Sequence, residues 1–225
     1  MLVLASTSPR RKELLALGGW DFQILPADIN EDPQSGEAPI DYVRRMAESK
    51  AKEAAKHVPE EAVVLAADTT VVDTNAEGEQ EILGKPADAA EAEIMLRRLR
   101  GRTHQVMTAV AVLRKADGRL LSDVCITDVP MRAYTDEEMM VYIESGDPLD
   151  KAGGYAIQHP GFHPAENLNG CYANVVGLPL CHVTRLLRAF GIEPKQDVAR
   201  ACQQELGYMC PIFEEVLGSE PPSVK

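Results

Sequence analysis

The sequence predicts an α/β protein with a mixed, twisted sheet and flanking helices. Short apolar runs alternate with amphipathic helical patterns along the chain, which is typical of this class. Residues 63–73, VVLAADTTVVD, are rich in β-branched side chains and predict a central, buried strand. Two similar runs, residues 103–113 and 120–131, flank the turn signal Asp117-Gly118 and predict an antiparallel hairpin.

The N-terminal residues predict a strand followed by a capped helix. Residues 2–5, LVLA, form a short apolar run. Ser8 is a favourable N-cap residue and Pro9 a favourable first helical residue. We expect this helix to end at Gly18-Gly19.

A second predicted helix, residues 40–57, carries a lysine on its apolar face. That face is formed by Val43, Ala47, Ala51 and Ala54. Lys50 follows Ala47 by three residues and precedes Ala54 by four, so it shares the face. A lysine at such a position either extends outward to solvent or points into a site.

Turn signals and helix caps predict the remaining elements. Asp88 with Glu91 and Thr135 with Glu138 have the spacing of capping boxes. The predicted strands and turns are a strand over 22–25, a turn at 75–78, a return strand over 81–86, a loop followed by a strand over 147–158, and a strand and loop over 172–180. The predicted helices are 88–100, 135–145 and 181–190, followed by a polar tail with one short helical piece.

Composition and charge exclude several classes of function. The net charge of −12 argues against binding to a nucleic acid polymer, although a locally basic pocket for a small anion remains compatible with it. No run of about 18 apolar residues exists to span a membrane, and the apolar start is too short for a signal peptide. The five cysteines are scattered, and even Cys202 and Cys210 have no strong disulfide or metal spacing. We therefore expect a cytoplasmic protein with reduced thiols.

Two arginines stand at an electrostatically unfavourable place. Arg10 and Arg11 follow Ser8-Pro9, where the positive end of the helix dipole favours acids. Either both side chains face solvent, or a bound anion supplies the missing negative charge. A phosphate chain would accept hydrogen bonds from the guanidinium groups and from the free N–H groups of the helix start.

Asp68 interrupts the apolar run 63–73. A buried carboxylate must be paired, protonated or bound to a metal, because burying it alone costs many kcal/mol. A structural ion pair is one explanation. A functional role is the other, since sites in open α/β sheets lie at strand ends.

Three isolated lysines are each a weak signal and are informative together. Lys50, Lys85 in Gly-Lys-Pro and Lys151 in Asp-Lys-Ala-Gly-Gly could build an anion pocket or lie on a solvated surface. The acidic loop with Asp28, Glu31 and Asp32 offers oxygen ligands for Mg²⁺, or is an ordinary exposed loop. Neither G-x-G-x-x-G nor G-x-x-x-x-G-K-[ST] occurs, and no pattern indicates a catalytic pair of a cysteine and a histidine.

Seven motifs occur in this order along the chain: ASTSPRRKELL, AESKAKEA, AADTTVV, GKP, GRTHQVMTAV, PLDKAGGYAIQ and NVVGLPL. The set resembles the Maf family of nucleoside triphosphate pyrophosphatases over about residues 1–191. The resemblance implies a fold like that of the inosine triphosphate pyrophosphatases, with two lobes around a cleft. It divides the chain into a domain over 1–192 and a C-terminal extension over 193–225.

The resemblance also implies roles for individual residues. Asp68 matches the catalytic acid of the family, and Glu31 with Asp68 matches the ligands of a divalent metal cation, Mg²⁺ or Mn²⁺. The residues that match substrate-binding positions are Ser8, Arg10, Arg11, Lys50 and Lys85. Arg10, Thr69 and Gln158 match the branch that prefers dTTP and UTP. Asn30 stands where many relatives carry an acid, and HPGFHPAEN (159–167) departs from the usual glycine-rich loop.

The implied reaction is attack of water on the α-phosphorus, which yields the monophosphate and pyrophosphate. Asp68 would orient or deprotonate the water, while the cations hold the departing pyrophosphate. Two alternatives stay open. In the first, the protein is a nucleotide-binding regulator of cell division with little catalysis. In the second, it is a phosphatase that removes only the γ-phosphate. A homodimer is compatible with all three.

Overall fold

The computed structural model describes residues 1–222 and confirms the predicted mixed sheet. The strand order is β2-β1-β3-β5-β6, and β4 also pairs with β3. The pairs β1–β2 and β1–β3 are parallel, whereas β3–β4, β3–β5 and β5–β6 are antiparallel. The strands are β1 Leu2–Ala5, β2 Phe22–Ile24, β3 Val63–Thr74, β4 Gln80–Leu83, β5 Thr103–Arg114 and β6 Leu120–Pro130.

Helices cover both faces of this sheet. They are α1 Pro9–Ala16, α2 Pro39–Ala55, α3 Ala89–Leu99, α4 Asp136–Glu144, α5 Tyr172–Val176, α6 Leu180–Ala189, α7 Val198–Leu206 and α8 Phe213–Gly218. The predicted caps form: the Ser8 side chain accepts from the Arg11 N–H, and Thr135 with Glu138 makes a complete capping box.

The edge of β3 changes partner at the middle of the strand. Its first residues pair with β1 as far as Ala66, and its last residues pair with β4 from Val71 onward. Residues 67–70 therefore have a strand partner on one side only, β5. The parallel strand β1 ends beside this gap and leads into α1. In open α/β sheets, ligand sites lie at such carboxyl ends of strands.

Alternation along β3 sends neighbouring side chains to different helices. Val64 and Ala66 pack in the cluster beneath α2, whereas Leu65 and Ala67 pack in the cluster beneath α6. By the same alternation Asp68 faces α2, and the next residue faces the opposite layer. The small face of α2, with Ala47, Ala51 and Ala54 all fully buried, lets this helix lie close to the sheet.

Two predicted strands are absent from the described residues. Segment 147–158 forms two 3₁₀ turns, Asp147–Asp150 and Ala152–Gly154, because Gly153 and Gly154 adopt φ values of 69° and 72° that no strand accommodates. Residues 172–176 are helical although YANVV is rich in strand formers. Packing against the sheet overrides that weak propensity, and Gly177 ends the helix with φ at 122°.

Within residues 193–222, the tail contains two helices instead of the one short piece that we predicted. Val198 in α7 joins the main core, and Val216 in α8 packs with Cys181 and Ala199. All five cysteines are free thiols, in agreement with the sequence. Within residues 1–222, no helix is long and apolar enough to cross a membrane.

We expect Val216→Ala to lower the free energy of unfolding by about 2 kcal/mol, because it leaves a cavity between α8 and the core. Urea denaturation measures the loss. Glu215→Ala, an exposed neighbour in the same helix, is the control and should change stability by less than about 0.5 kcal/mol. Equal stability of both variants would show that α8 does not dock in solution.

Candidate functional site

A cleft of about 910 Å³ opens at the gap in the edge of β3. It separates the side of the sheet that carries α1 and α2 from segment 147–160, and these parts correspond to the two expected lobes. The structure brings to this cleft every residue to which the resemblance assigned a role: Ser8, Arg10, Arg11, Glu31, Lys50, Asp68, Thr69, Lys85 and Gln158.

The cleft is far less acidic than the chain as a whole. Among the described residues, its lining contains five cationic side chains, Arg10, Arg11, Lys50, Lys85 and Lys151, and four acidic ones, Glu31, Asp68, Asp147 and Asp150. The whole protein carries a net charge of −12. A polyanion that is repelled by the general surface can therefore be accepted locally.

Lys50 joins two carboxylates at the centre of the cleft. Its Nζ lies 2.7 Å from Oδ1 of Asp68 and 2.6 Å from Oε1 of Glu31. The side chains of Lys50 and Asp68 are each 13% exposed, whereas that of Glu31 is 59% exposed. The lysine on the apolar face of α2 thus points into the site, and it supplies the partner that the in-strand acid requires.

Arg11 is held on the opposite face of β3. Its Nε donates to the carbonyl of Gly177 at 2.9 Å, and its Nη2 donates to Oγ1 of Thr69 at 3.0 Å. Burial lowers the pKa of Arg11, and the neighbouring charge of Arg10 adds to this, while Asp68 and Glu31 oppose it. The guanidinium group is therefore pre-positioned and already partly desolvated.

Arg10 and Lys85 differ from the other cations. Neither makes an ion pair or a side-chain hydrogen bond with any residue between 1 and 222, although both line the cleft. Arg10 lies in the first turn of α1, which contains no acidic residue. Pro9 has no N–H and the Arg11 N–H donates to Ser8, so within residues 1–222 the Arg10 N–H is the one left free in the first turn. Together with the two cations it makes this part of the cleft suited to an anion.

Lys151 has a different environment from the one that we expected for an anion-binding lysine. Its Nζ donates to Oδ1 of Asp147 at 2.9 Å and to Oδ1 of Asp150 at 2.5 Å. Asp147 also accepts from the buried Tyr142 hydroxyl at 2.6 Å. The structure therefore shows Lys151 stabilising the 3₁₀ turns of one cleft wall, with its charge neutralised by protein carboxylates.

The segment after the exposed Gln158 is anchored by aromatic packing. Phe162 is buried and stacks on Tyr142 with ring centroids 4.3 Å apart. The Nδ1 atom of His159 accepts from the Phe162 N–H at 3.1 Å, which closes a tight turn. This turn places Gln158 and His159 at the mouth of the cleft.

Only one acid of the predicted metal-binding loop reaches the cleft. Asp28 and Asp32 are exposed and do not line it, and Asn30 uses its Oδ1 to accept from the Asp32 N–H at 2.7 Å. Along the described chain, no group of three or more His, Cys, Asp or Glu side chains could hold a metal. Two carboxylates that share one ammonium group nevertheless suit Mg²⁺, which uses one or two carboxylates and completes its shell with phosphates and water.

The family comparison covers most of the chain. Residues 1–190 match the family model described as Maf-like protein. The chain belongs to this family. A protein of Citrifermentans bemidjiense named dTTP/UTP pyrophosphatase is 46% identical over 190 residues, covering 84% of this chain and 95% of that protein. One of Dehalococcoides mccartyi with the same name is 40% identical over 194 residues, covering 86% and 84%.

Two solved structures show a distant likeness to this Maf-like chain. The HAM1 protein from Coxiella burnetii shares 18% identity with a TM-score of 0.38, covering 70% of this chain and 87% of that one. The nucleoside-triphosphatase / dITP/XTP pyrophosphatase from Mycobacterium abscessus shares 17% identity with a TM-score of 0.40, covering 84% and 93%.

Residues to which the sequence assigned no role also support the site of this Maf-like chain, one in the cleft wall and one buried beneath it. The Tyr42 hydroxyl donates to the Glu31 carbonyl at 2.9 Å and thereby positions the acidic loop. Thr108, fully buried on β5, contacts Thr69 at 2.9 Å. The sequence alone does not show that Thr69 and Thr108 lie opposite each other on β3 and β5. Gly177, which also contacts the site, lies in the recognised motif NVVGLPL.

Replacing Gly177 tests its close approach to the site. We expect Gly177→Ala to destabilise this Maf-like protein by about 1–3 kcal/mol, because an L-residue at φ 122° is strained. The new methyl group would also lie 3.4 Å from Oγ1 of Thr69. Gly191→Ala is the matched control, since it has positive φ but open surroundings, and should cost about 1 kcal/mol. Thermal unfolding that ranks the two in the reverse order would contradict this account.

Proposed function

We propose that the protein hydrolyses nucleoside triphosphates, dTTP and UTP among them, to the monophosphate and pyrophosphate. The observation that carries the proposal is the Asp68–Lys50–Glu31 group, which lies in a cleft beside two cations that have no partner among residues 1–222. The names of the relatives at 40–46% identity support the same reaction.

The triphosphate chain would bind where the free cations and the start of α1 meet. A bound phosphate would give Arg10 and Lys85 an anionic partner. Arg11 has further guanidinium N–H groups that can donate to phosphate, beyond those bound to Thr69 and Gly177. These contacts are charge-assisted and become stronger as negative charge accumulates on the leaving pyrophosphate. The same groups therefore bind substrate and stabilise the transition state.

Asp68 is the residue placed to act on water. Its Oδ1 accepts from Lys50, and its Oδ2 makes no hydrogen bond or ion pair with another side chain of the described residues. We propose that this second oxygen orients the attacking water and accepts its proton as the water adds to the α-phosphorus. Lys50 holds the carboxylate in place.

Asp68 and Glu31 would hold a divalent cation, Mg²⁺ or Mn²⁺. When bound, this ion would neutralise phosphate oxygens that the arginines do not reach. Thr69 and Gln158 would contact the base, since the Gln158 amide offers one donor and one acceptor at the cleft mouth. A cytoplasmic location and a homodimer stay predictions.

The first test is product analysis with purified protein, Mg²⁺ and dTTP or UTP. We expect equal amounts of monophosphate and pyrophosphate, and Asp68→Asn should lower kcat at least about 100-fold while the fold is retained. Asp128→Asn, an exposed position on β6, is the control and should keep full turnover. Release of inorganic phosphate would identify a γ-phosphatase, and tight binding without turnover would identify a nucleotide-binding regulator.

The second test concerns the free cations. Arg10→Ala and Lys85→Ala should each lower kcat/KM for UTP by about 10- to 100-fold, because each removes one charge-assisted contact to phosphate. Lys52→Ala removes an exposed lysine of α2 that pairs with Glu48, and steady-state kinetics should show no effect. Unchanged kcat/KM in Arg10→Ala would place the phosphates elsewhere in the cleft.

A further inference from the structure

The hydroxyl of Thr69 is tied to the protein interior through a second threonine. Thr69 on β3 lies directly opposite Thr108 on β5, and their Oγ1 atoms are 2.9 Å apart. Thr108 is fully buried, and its Oγ1 also lies 2.9 Å from the carbonyl oxygen of Asn174. Arg11 contacts Thr69 from the cleft side at 3.0 Å.

Counting hydrogens gives the direction of each bond. A carbonyl oxygen only accepts, so the single hydroxyl hydrogen of Thr108 is donated to Asn174. Thr108 therefore has only lone pairs to offer, and Thr69 must donate its own hydrogen to Thr108. The guanidinium group of Arg11 also only donates, which uses one lone pair of Thr69.

The buried end of this series of hydrogen bonds, at Asn174, is rigid. Asn174 is fully buried, and its Nδ2 donates to the Val106 carbonyl and to Oγ1 of Thr127, both at 2.9 Å. Its main-chain carbonyl lies near the end of α5, where carbonyl groups have no partner within the helix. Turning the Thr108 hydroxyl away would leave that buried carbonyl unsatisfied, which makes the reverse direction costly.

We propose that Thr108 is a positioning residue that makes Thr69 an acceptor-only contact for the nucleobase. The inference rests on the proposed function and names what Thr69 selects, namely an N–H donor at the imide position of uracil or thymine. Phosphate oxygens cannot be its partner, because they also only accept. Cytosine presents a lone pair at N3, so two acceptors would face each other and binding would be weakened.

A ribose hydroxyl is another donor of suitable chemistry, and the choice of substrates separates it from the base. UTP and dUTP differ at the 2′-hydroxyl, whereas UTP and its N3-methyl derivative differ at the imide N–H. We expect wild-type protein to use UTP and dUTP with kcat/KM values within about threefold, and N3-methyl-UTP and CTP at least about tenfold less well. Equal use of UTP and N3-methyl-UTP would overturn the proposal without any variant.

Thr108→Val is the decisive variant. Valine keeps the shape of the side chain but removes the acceptor, so the Thr69 hydrogen becomes free to turn into the cleft and meet cytosine N3. The preference for UTP over CTP should then fall about tenfold, and Thr108→Ser should restore it. Thr184→Val, which removes another buried hydroxyl bonded to a carbonyl at 2.8 Å, should leave the preference unchanged.

The outcomes separate this inference from the proposed function. If wild-type protein turns over UTP but Thr108→Val keeps the full UTP/CTP preference, the positioning role is wrong and the pyrophosphatase activity stands. If wild-type protein releases no pyrophosphate, the proposed function fails, and calorimetric binding of the same four nucleotides decides the inference. Should Thr108→Val not fold, Thr69→Val tests the same contact: the preference for UTP over N3-methyl-UTP should fall about tenfold, and an unchanged preference would overturn the inference.

Discussion

The contact between the Lys50 ammonium group and the Asp68 carboxylate is the interaction on which the site depends. An ionised acid in the middle of an apolar strand requires a cation, and α2 supplies it from its buried face. The alanines beside Lys50 allow the helix to approach closely enough for this contact. Glu31 joins the same ammonium group from a loop, so one lysine assembles acids from two distant parts of the chain.

The partner change along β3 explains why these groups are accessible. Where β1 has ended and β4 has not begun, the strand edge is open, and side chains from both faces of the sheet reach one cleft. A continuous strand in that position would cover the main chain at residues 67–70. The cleft is thus a consequence of topology, and its charges come from elements that the topology brings to the gap.

Much of this arrangement could be predicted from the sequence, because it depends on local patterns. The alternation of strands and helices, the caps at Ser8 and Thr135, and the interruption of an apolar run by Asp68 are all local signals. The position of Lys50 on its helix also followed from spacing. The two wrong strands, over 147–158 and 172–180, lie where glycine conformations and packing outweigh propensity. The neutralisation of Lys151 and the contact of Thr108 depend on tertiary neighbours, which no local pattern contains.

The alternation of β3 has a consequence for how such a protein can diversify. Asp68 belongs to the layer of α2, and Thr69 belongs to the layer of α5 and α6, although they are adjacent in the chain. Under the proposed function, bond cleavage and base selection would be supported by separate hydrophobic layers on opposite sides of one sheet. Substitutions in the second layer would then retune which nucleotide is accepted and leave the hydrolytic apparatus in the first layer unchanged.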